Sequence, residues 1–206
     1  MEYNWDIILE NNENHKTFFY NKKDILINKR NIAPALFLDR DGIIIEDCHY
    51  IKNPHDVKIM KGAKHLINYF KKLGWKVIII TNQSGIERGF FVWKDYEKVN
   101  NKMIELLNLE SKIDAIYANG CGPNSRLSNW RKPNPDMLFE AKDDFNIDLE
   151  GSILIGDRLS DLKAGYKAGI KSIIQPGGSL KDDLVIKEVD EKKLSMVFSF
   201  KRSFSH

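Results

Sequence analysis

The sequence predicts an α/β fold, a Rossmann-like parallel sheet with helices on both faces and no separate cap domain. Three observations lead there. Short apolar runs recur at residues 35–38, 77–80 and 153–155, each of the length and β-branched character of a buried strand. Helical patterns lie between them. Each run also stops abruptly at polar, chemically capable residues: Asp39-Arg40-Asp41-Gly42, Thr81-Asn82-Gln83 and Gly156-Asp157. Strands alternating with helices make βαβ units, whose strands run parallel and are covered on both sides.

Taken in order, residues 1–33 read as an N-terminal extension. They are rich in Asn and Lys, with short apolar clusters at 5–9 and 18–20 that suit one or two small elements. The organised domain is expected over 34–176. Its first strand ends at Leu38; a helix over 63–73 is closed by Gly74, whose freedom at positive φ suits a helix C-terminus. The second strand ends at Ile80, and helical patterns follow over 93–107 and 135–145. The third strand ends at Ile155, and 177–206 forms a C-terminal tail.

Bulk properties narrow the function. At 206 residues the chain can bury a proper core. A net charge of +3, with Lys and Arg interspersed among Asp and Glu, offers no clustered basic face for nucleic acid. Two cysteines, Cys48 and Cys121, are too few for a disulfide scaffold and suit a reducing compartment. No signal-peptide pattern opens the chain, and no apolar run approaches the ~20 residues of a membrane span. A cytoplasmic protein without nucleic-acid or membrane partners is expected.

Ligands of doubly wound sheets bind at the carboxyl ends of the strands, where the polar residues stand. Asp39 and Asp41, two apart beyond a strand end, can enter one site and divide the roles of nucleophile and proton donor. Asp and Gly are also turn residues, so the tetrapeptide alone fits a turn equally well. Thr81 and Asn82 suit phosphoryl oxygens, or the capping of the next helix. Lys132, before Pro133, suits charge neutralisation at a transferring phosphoryl group, although most lysines are simply solvated. Asp157 suits a hard cation; Asp161 suits orientation of the metal's water, or a helix cap. Each bland reading holds singly, and together they do not.

In this order and on these elements, Asp39-x-Asp41, Thr81, Lys132 and Gly156-Asp157-x-x-x-Asp161 resemble the four motifs of the haloacid dehalogenase superfamily. The likeness is closer to its histidinol-phosphatase and D,D-heptose 1,7-bisphosphate phosphatase branch. Thr81-Asn82-Gln83-Ser84-Gly85-Ile86-x-Arg88-Gly89 and Arg131-Lys132-Pro133-x-Pro135 carry that likeness, with Tyr50-Ile51 and Pro54 in support. It spans roughly residues 34–173. The resemblance implies a magnesium-dependent phosphatase for a small phosphorylated sugar, serving surface-carbohydrate precursor synthesis. Asp39 would be the nucleophile, Asp41 the acid/base, and Thr81 and Lys132 the phosphoryl ligands. Magnesium would be held by Asp39, Asp157 and the backbone carbonyl of Asp41. Asp47, Cys48, His49, Tyr50, Asn82, Gln83, Ser84 and Arg131 would contact the substrate. Histidinol phosphate hydrolysis, or a non-catalytic binding role on the same fold, are the competing readings. The second fits poorly, because both Asp39 and Asp41 are retained.

The spacing from Asp39 to Thr81 and from Thr81 to Lys132 is consumed by returning helices and strands, so no lid domain fits and the site should be open. Arg131 is expected to point away from Lys132 and to suit a second anionic or polyol part of the substrate. The chain also departs from the family. Heptose-bisphosphate phosphatases carry a zinc loop of Cys and His before Arg-Lys-Pro; here residues 119–130 hold one cysteine, Cys121, and no histidine. Structural zinc takes four such ligands, so no zinc is expected. Ile43 replaces the usual Thr and His49 the usual Gly. In the tail, Gln175-Pro176-Gly177-Gly178-Ser179, Met196-Val197-Phe198 and the terminal Arg202-Ser203-Phe204-Ser205-His206 resemble the carboxyl terminus of the purine-pathway formyltransferase/cyclohydrolase. A last strand and helix packed on the sheet is the favoured use of that piece, and a retained nucleotide-like subsite the alternative.

Overall fold

The structure is a computed structural model that describes residues 7–12, 14–19, 32–109, 113–127, 130–176 and 195–198. Its frame is one eight-stranded sheet in the order β1-β2-β5-β4-β3-β6-β7-β8. The strands are β1 (Ile7–Asn12), β2 (His15–Phe19), β3 (Ala33–Leu38), β4 (Lys76–Asn82), β5 (Ala115–Asn119), β6 (Ile147–Ile155), β7 (Ser172–Gln175) and β8 (Ser195–Phe198). From β5 to β8 all neighbours are parallel. Read by chain order, those six strands follow the doubly wound 3-2-1-4-5-6 arrangement, whose order reverses between β3 and β6. β1 and β2 extend the sheet at the β5 edge as an antiparallel hairpin.

The helices among the described residues are α1 (Ala63–Lys72), α2 (Trp93–Leu107), α3 (Asp136–Phe145) and α4 (Leu159–Ala168). The expected helices over 63–73, 93–107 and 135–145 match α1, α2 and α3 to within a residue. Because side chains alternate across a strand, β3 sends Leu36 and Leu38 to one core and Ala35 and Phe37 to the other. β4 does the same with Val77 and Ile79 against Ile78 and Ile80. α1 and α2 close the first core through Ile67, Tyr96, Val99 and Met103. α3 and α4 close the second through Met137, Leu138, Ala141, Leu162 and Ala164.

Both chain extensions touch the sheet. β2 pairs with β5 from His15 against Asn119 to Phe19 against Ala115, and β8 pairs with β7 from Ser172 against Ser195 to Gln175 against Phe198. The helix expected in the tail lies outside the described residues. So do Arg202-Ser203-Phe204-Ser205-His206 and residues 20–31. No described helix is long and apolar enough to cross a membrane.

Candidate active site

β3 delivers the first two carboxylates. Asp39 continues the strand, its N–H donating to Ile155 O at 2.9 Å, so the ends of β3 and β6 are tied together at the switch point. Beyond it Gly42 adopts φ 85°, and the N–H groups of Ile44 and Ile45 fold back onto Arg40 O. That tight loop turns Asp41 toward the cleft.

Asp39 is buried, and two donors meet its Oδ1: Lys132 Nζ at 3.0 Å and the Arg40 N–H at 2.8 Å. Among the described residues no donor meets its Oδ2. Lys132 is itself buried and has three partners: Asp39, Asp161 Oδ1 at 2.5 Å and Ile80 O at 2.9 Å. Burial works against its charge, but Asp161 and Asp39 outweigh burial and raise its pKa. The ammonium is therefore a fixed cation in the floor of the site.

Gly156-Asp157-x-x-x-Asp161 has a steric reason. A Cβ at position 156 would lie 2.4 Å from the Asp161 Cβ, so only glycine lets Asp161 close under the strand end. Asp161 takes the helix-cap role, and it also anchors Lys132. Its Oδ2 accepts from the Arg158 N–H at 3.0 Å in the first turn of α4, while its Oδ1 pairs with Lys132. Asp39, Asp157 and Asp161 each present an oxygen within 4.8 Å of the others. Burial first, then the neighbouring carboxylates, raises Asp39 to about 6 and Asp157 to about 7. Among the described residues Asp157 Oδ1, buried, accepts no hydrogen bond, with Arg158 Nε 3.8 Å away. Three crowded carboxylates with an idle buried oxygen form an all-oxygen donor set that suits a hard divalent cation.

Asp41 meets a different environment. Its carboxylate accepts from Arg40 Nε at 3.2 Å, Arg40 Nη2 at 3.0 and 3.1 Å, and Gln83 Nε2 at 2.8 Å. Arg40 is fully buried, braced by Asn100 Oδ1 and Gln83 Oε1, both at 3.0 Å, with its guanidinium 4.8 Å from the Tyr96 ring centre. Thr81 is buried and its Oγ1 accepts from Gln83 Nε2 at 2.7 Å. Asn82 caps no helix. Its amide pairs with the backbone of Lys132 in both directions at 3.0 Å, clamping one strand end to the loop opposite.

Two adjoining cavities open above these groups. The inner one, about 180 Å³, is lined by Asp39, Asp41, Asn82, Arg131, Lys132, Arg158 and Ser160. The outer one, about 260 Å³, is lined by Arg40, Asp41, Asp47, His49, Tyr50, Ile51, Asn82, Gln83, Ser84 and Arg158. Asp41, Asn82 and Arg158 belong to both. Cys48 is exposed and lines neither, and Thr81 lies beneath them. His49 and Tyr50 have φ of 49° and 62°, left-handed values rare for such residues, supported by the His49 N–H on Asp47 Oδ1 at 3.1 Å. Glycine, free at positive φ, would meet this geometry without strain.

Arg131 does point away from Lys132: its Nη1 donates to Cys121 O at 2.8 Å. Burial and then the charges of Arg88 and Arg158 lower its pKa. The Glu87 carboxylate accepts from the N–H of Gly122 and, with the Ser125 hydroxyl, is held below its usual range, fastening the loop that carries Cys121.

Sequence reasoning missed Arg40, Arg158 and Glu87. Arg158 pairs with Asp47 at 2.8 Å across 111 positions, a separation no periodicity signals. Within residues 1–33, His15–Phe19 form the strand that pairs with β5, in line with the apolar cluster at 18–20.

This geometry has relatives. Residues 38–175 match the family of haloacid dehalogenase-like hydrolases, two thirds of the chain. The chain belongs to the haloacid dehalogenase-like hydrolases. Among curated relatives, the D-glycero-beta-D-manno-heptose-1,7-bisphosphate 7-phosphatase of Helicobacter pylori is 40% identical over 69% of this chain and 83% of its own. The D-glycero-alpha-D-manno-heptose-1,7-bisphosphate 7-phosphatase of Campylobacter jejuni is 42% identical over 68% and 80%. Among solved structures, D,D-heptose 1,7-bisphosphate phosphatase from B. bronchiseptica, complexed with magnesium and phosphate, superposes with a TM-score of 0.67. It is 28% identical and covers 75% of this chain and 86% of its own.

Proposed function

We propose that this protein is a magnesium-dependent phosphatase that removes one phosphate from a heptose bisphosphate of the D-glycero-D-manno-heptose 1,7-bisphosphate type, in the supply of surface-carbohydrate precursors. The observation that carries the reading is the split environment of two carboxylates two residues apart. Asp39 lies against a fixed ammonium with one oxygen free, and Asp41 sits among donors at the junction of the two cavities.

In this reading Asp39 Oδ2 attacks phosphorus, the bond to the leaving oxygen breaks, and an aspartyl phosphate forms. Asp41 gives the leaving oxygen its proton, then takes one from the water that cleaves the intermediate. Lys132 and the Thr81 hydroxyl hold oxygens of the moving phosphoryl group. Asp39, Asp157 and the Asp41 carbonyl would hold magnesium, with Asp161 behind them. Bound there, the ion supplies charge neutralisation for two anions that must meet. The polyol body occupies the outer cavity beside Asp47, Tyr50, Gln83 and Ser84, and Arg131 with Arg158 meets the second phosphate. A guanidinium suits that task because it grips phosphate with two donors.

The test is a panel assay with magnesium: both anomers of the heptose bisphosphate, histidinol phosphate and p-nitrophenyl phosphate. A heptose bisphosphate should give the highest kcat/KM, and Asp39→Asn should abolish turnover with the fold intact. Substantial activity in a folded Asp39→Asn protein would end the covalent mechanism, and preference for histidinol phosphate would reassign the substrate.

A further inference from the structure

The β1–β2 hairpin lies outside the residues that match the family, yet it reaches the loop carrying Arg131 at two places. At the start of that loop, the Gly120 N–H donates to Asn14 O at 2.7 Å. At its end, the His15 ring stacks on Trp130, the residue before Arg131, with centroids 4.1 Å apart and planes 27° from parallel. Trp130 is buried and also packs on Tyr117 of β5 at 5.8 Å, so His15 and β5 hold the indole between them. The register of β2 on β5, with His15 opposite Asn119, fixes where that ring stands.

We infer that the hairpin braces this loop and that His15 is a positioning residue for Arg131. Arg131 has a mechanical need for one. Arg88 and Arg158 repel it and the Glu87 carboxylate attracts it, but its hydrogen bond, from Nη1, goes to a loop carbonyl rather than to a carboxylate. Lys132, next in sequence, has anchors of its own: Asn82 on its backbone, and Asp39, Asp161 and Ile80 O on its ammonium. Loosening Trp130 should therefore disturb Arg131 and spare Lys132. The inference rests on the reading of Arg131 as the group that meets the second phosphate.

The test uses the full chain with His15→Ala, and His15→Phe as the variant that keeps a stackable ring. Aromatic stacking of this kind supports an effect of about threefold to tenfold. His15→Ala should raise KM for the heptose bisphosphate by that factor at unchanged kcat, leave p-nitrophenyl phosphate hydrolysis as in the wild type, and speed amide exchange over residues 120–127 by a similar factor, since exchange follows local opening. Exchange in β4 should not change, and His15→Phe should restore all three readouts. Wild-type exchange over 120–127 in His15→Ala, equal losses on both substrates, or no rescue by His15→Phe would overturn the brace. If the wild-type protein does not turn over the bisphosphate, the substrate reading has failed, and the exchange measurement still decides the brace by itself.

Discussion

Neighbouring residues at this site are held by different means, and that decides what each substitution should do. Lys132 is buried between two carboxylates, whereas Arg131 hangs from one loop carbonyl among other guanidiniums. Lys132→Ala should therefore damage hydrolysis of heptose bisphosphate and p-nitrophenyl phosphate alike, because it serves whichever phosphoryl group is transferred. Arg131→Ala should weaken the bisphosphate by about tenfold or more in kcat/KM, a charged hydrogen bond's worth, with little effect on the small monophosphate. Equal losses on the two substrates in Arg131→Ala would remove it from substrate recognition. At the outer cavity, His49 holds a left-handed conformation that glycine adopts freely. His49→Gly should gain about 1 kcal/mol of stability in denaturant melts, and a loss there would mean that the imidazole's own interactions outweigh the strain. What was legible at this scale follows a simple rule. Asp39, Asp41, Thr81 and Asp157 follow buried runs and Lys132 directly precedes a proline, so local patterning exposes them. Arg40 and Arg158 matter through partners far away in sequence, Asn100 and Asp47, which local patterning cannot reveal.

The elements carry a polarity of purpose from one end of the sheet to the other. At the carboxyl ends of the strands, buried polar groups face the cavities; at the amino ends they hold the sheet together. Asp114, just before β5, accepts from Lys71 Nζ at 2.7 Å, Lys76 Nζ at 3.1 Å and the Val77 N–H at 2.8 Å, tying α1, β4 and β5. Asp114→Ala would leave two half-buried ammoniums and one strand N–H without that partner, at a cost of about 2–3 kcal/mol. Because the cluster is at the far end of β4 from Thr81, kcat/KM should not move. A thermal melt beside an activity assay checks both halves, and an activity loss without a stability loss would contradict the division. The parallel core elements were readable because a strand buried on both faces is a continuous apolar run and the helices keep their 3.6-residue period. The hairpin was legible only as small elements, from the apolar clusters at 5–9 and 18–20; its pairing with the sheet was not, because Glu10, Asn11, Asn12, Lys16 and Thr17 leave no continuous apolar run.

At the scale of the whole molecule, the sheet concentrates negative charge at its switch point, and stability should record it. Asp39 at about 6 and Asp157 at about 7 both stand above the ordinary carboxylate value of 3.8. Between pH ~4 and ~7 the native, metal-free protein therefore holds protons that the unfolded chain has already released. Stability rises with pH only where the unfolded state binds more protons; here the folded state does, so these two groups lower stability as pH rises through that window, with the full cost present above pH ~7. Lys132 keeps its charge across the whole window and adds no slope of its own. A divalent cation held by the same carboxylates must displace those protons at low pH and meets ionised ligands at high pH, so its affinity, and the stabilisation it confers by mass action, should grow with pH. Thermal unfolding at pH 5, 6, 7 and 8, with chelator and with millimolar magnesium, should show two trends. The chelated protein's Tm should fall relative to a variant with Asp157→Asn as pH rises, and the gain on adding magnesium should be larger at pH 8 than at pH 5. A magnesium gain independent of pH, or one that survives intact in Asp157→Asn, would place the cation away from these carboxylates.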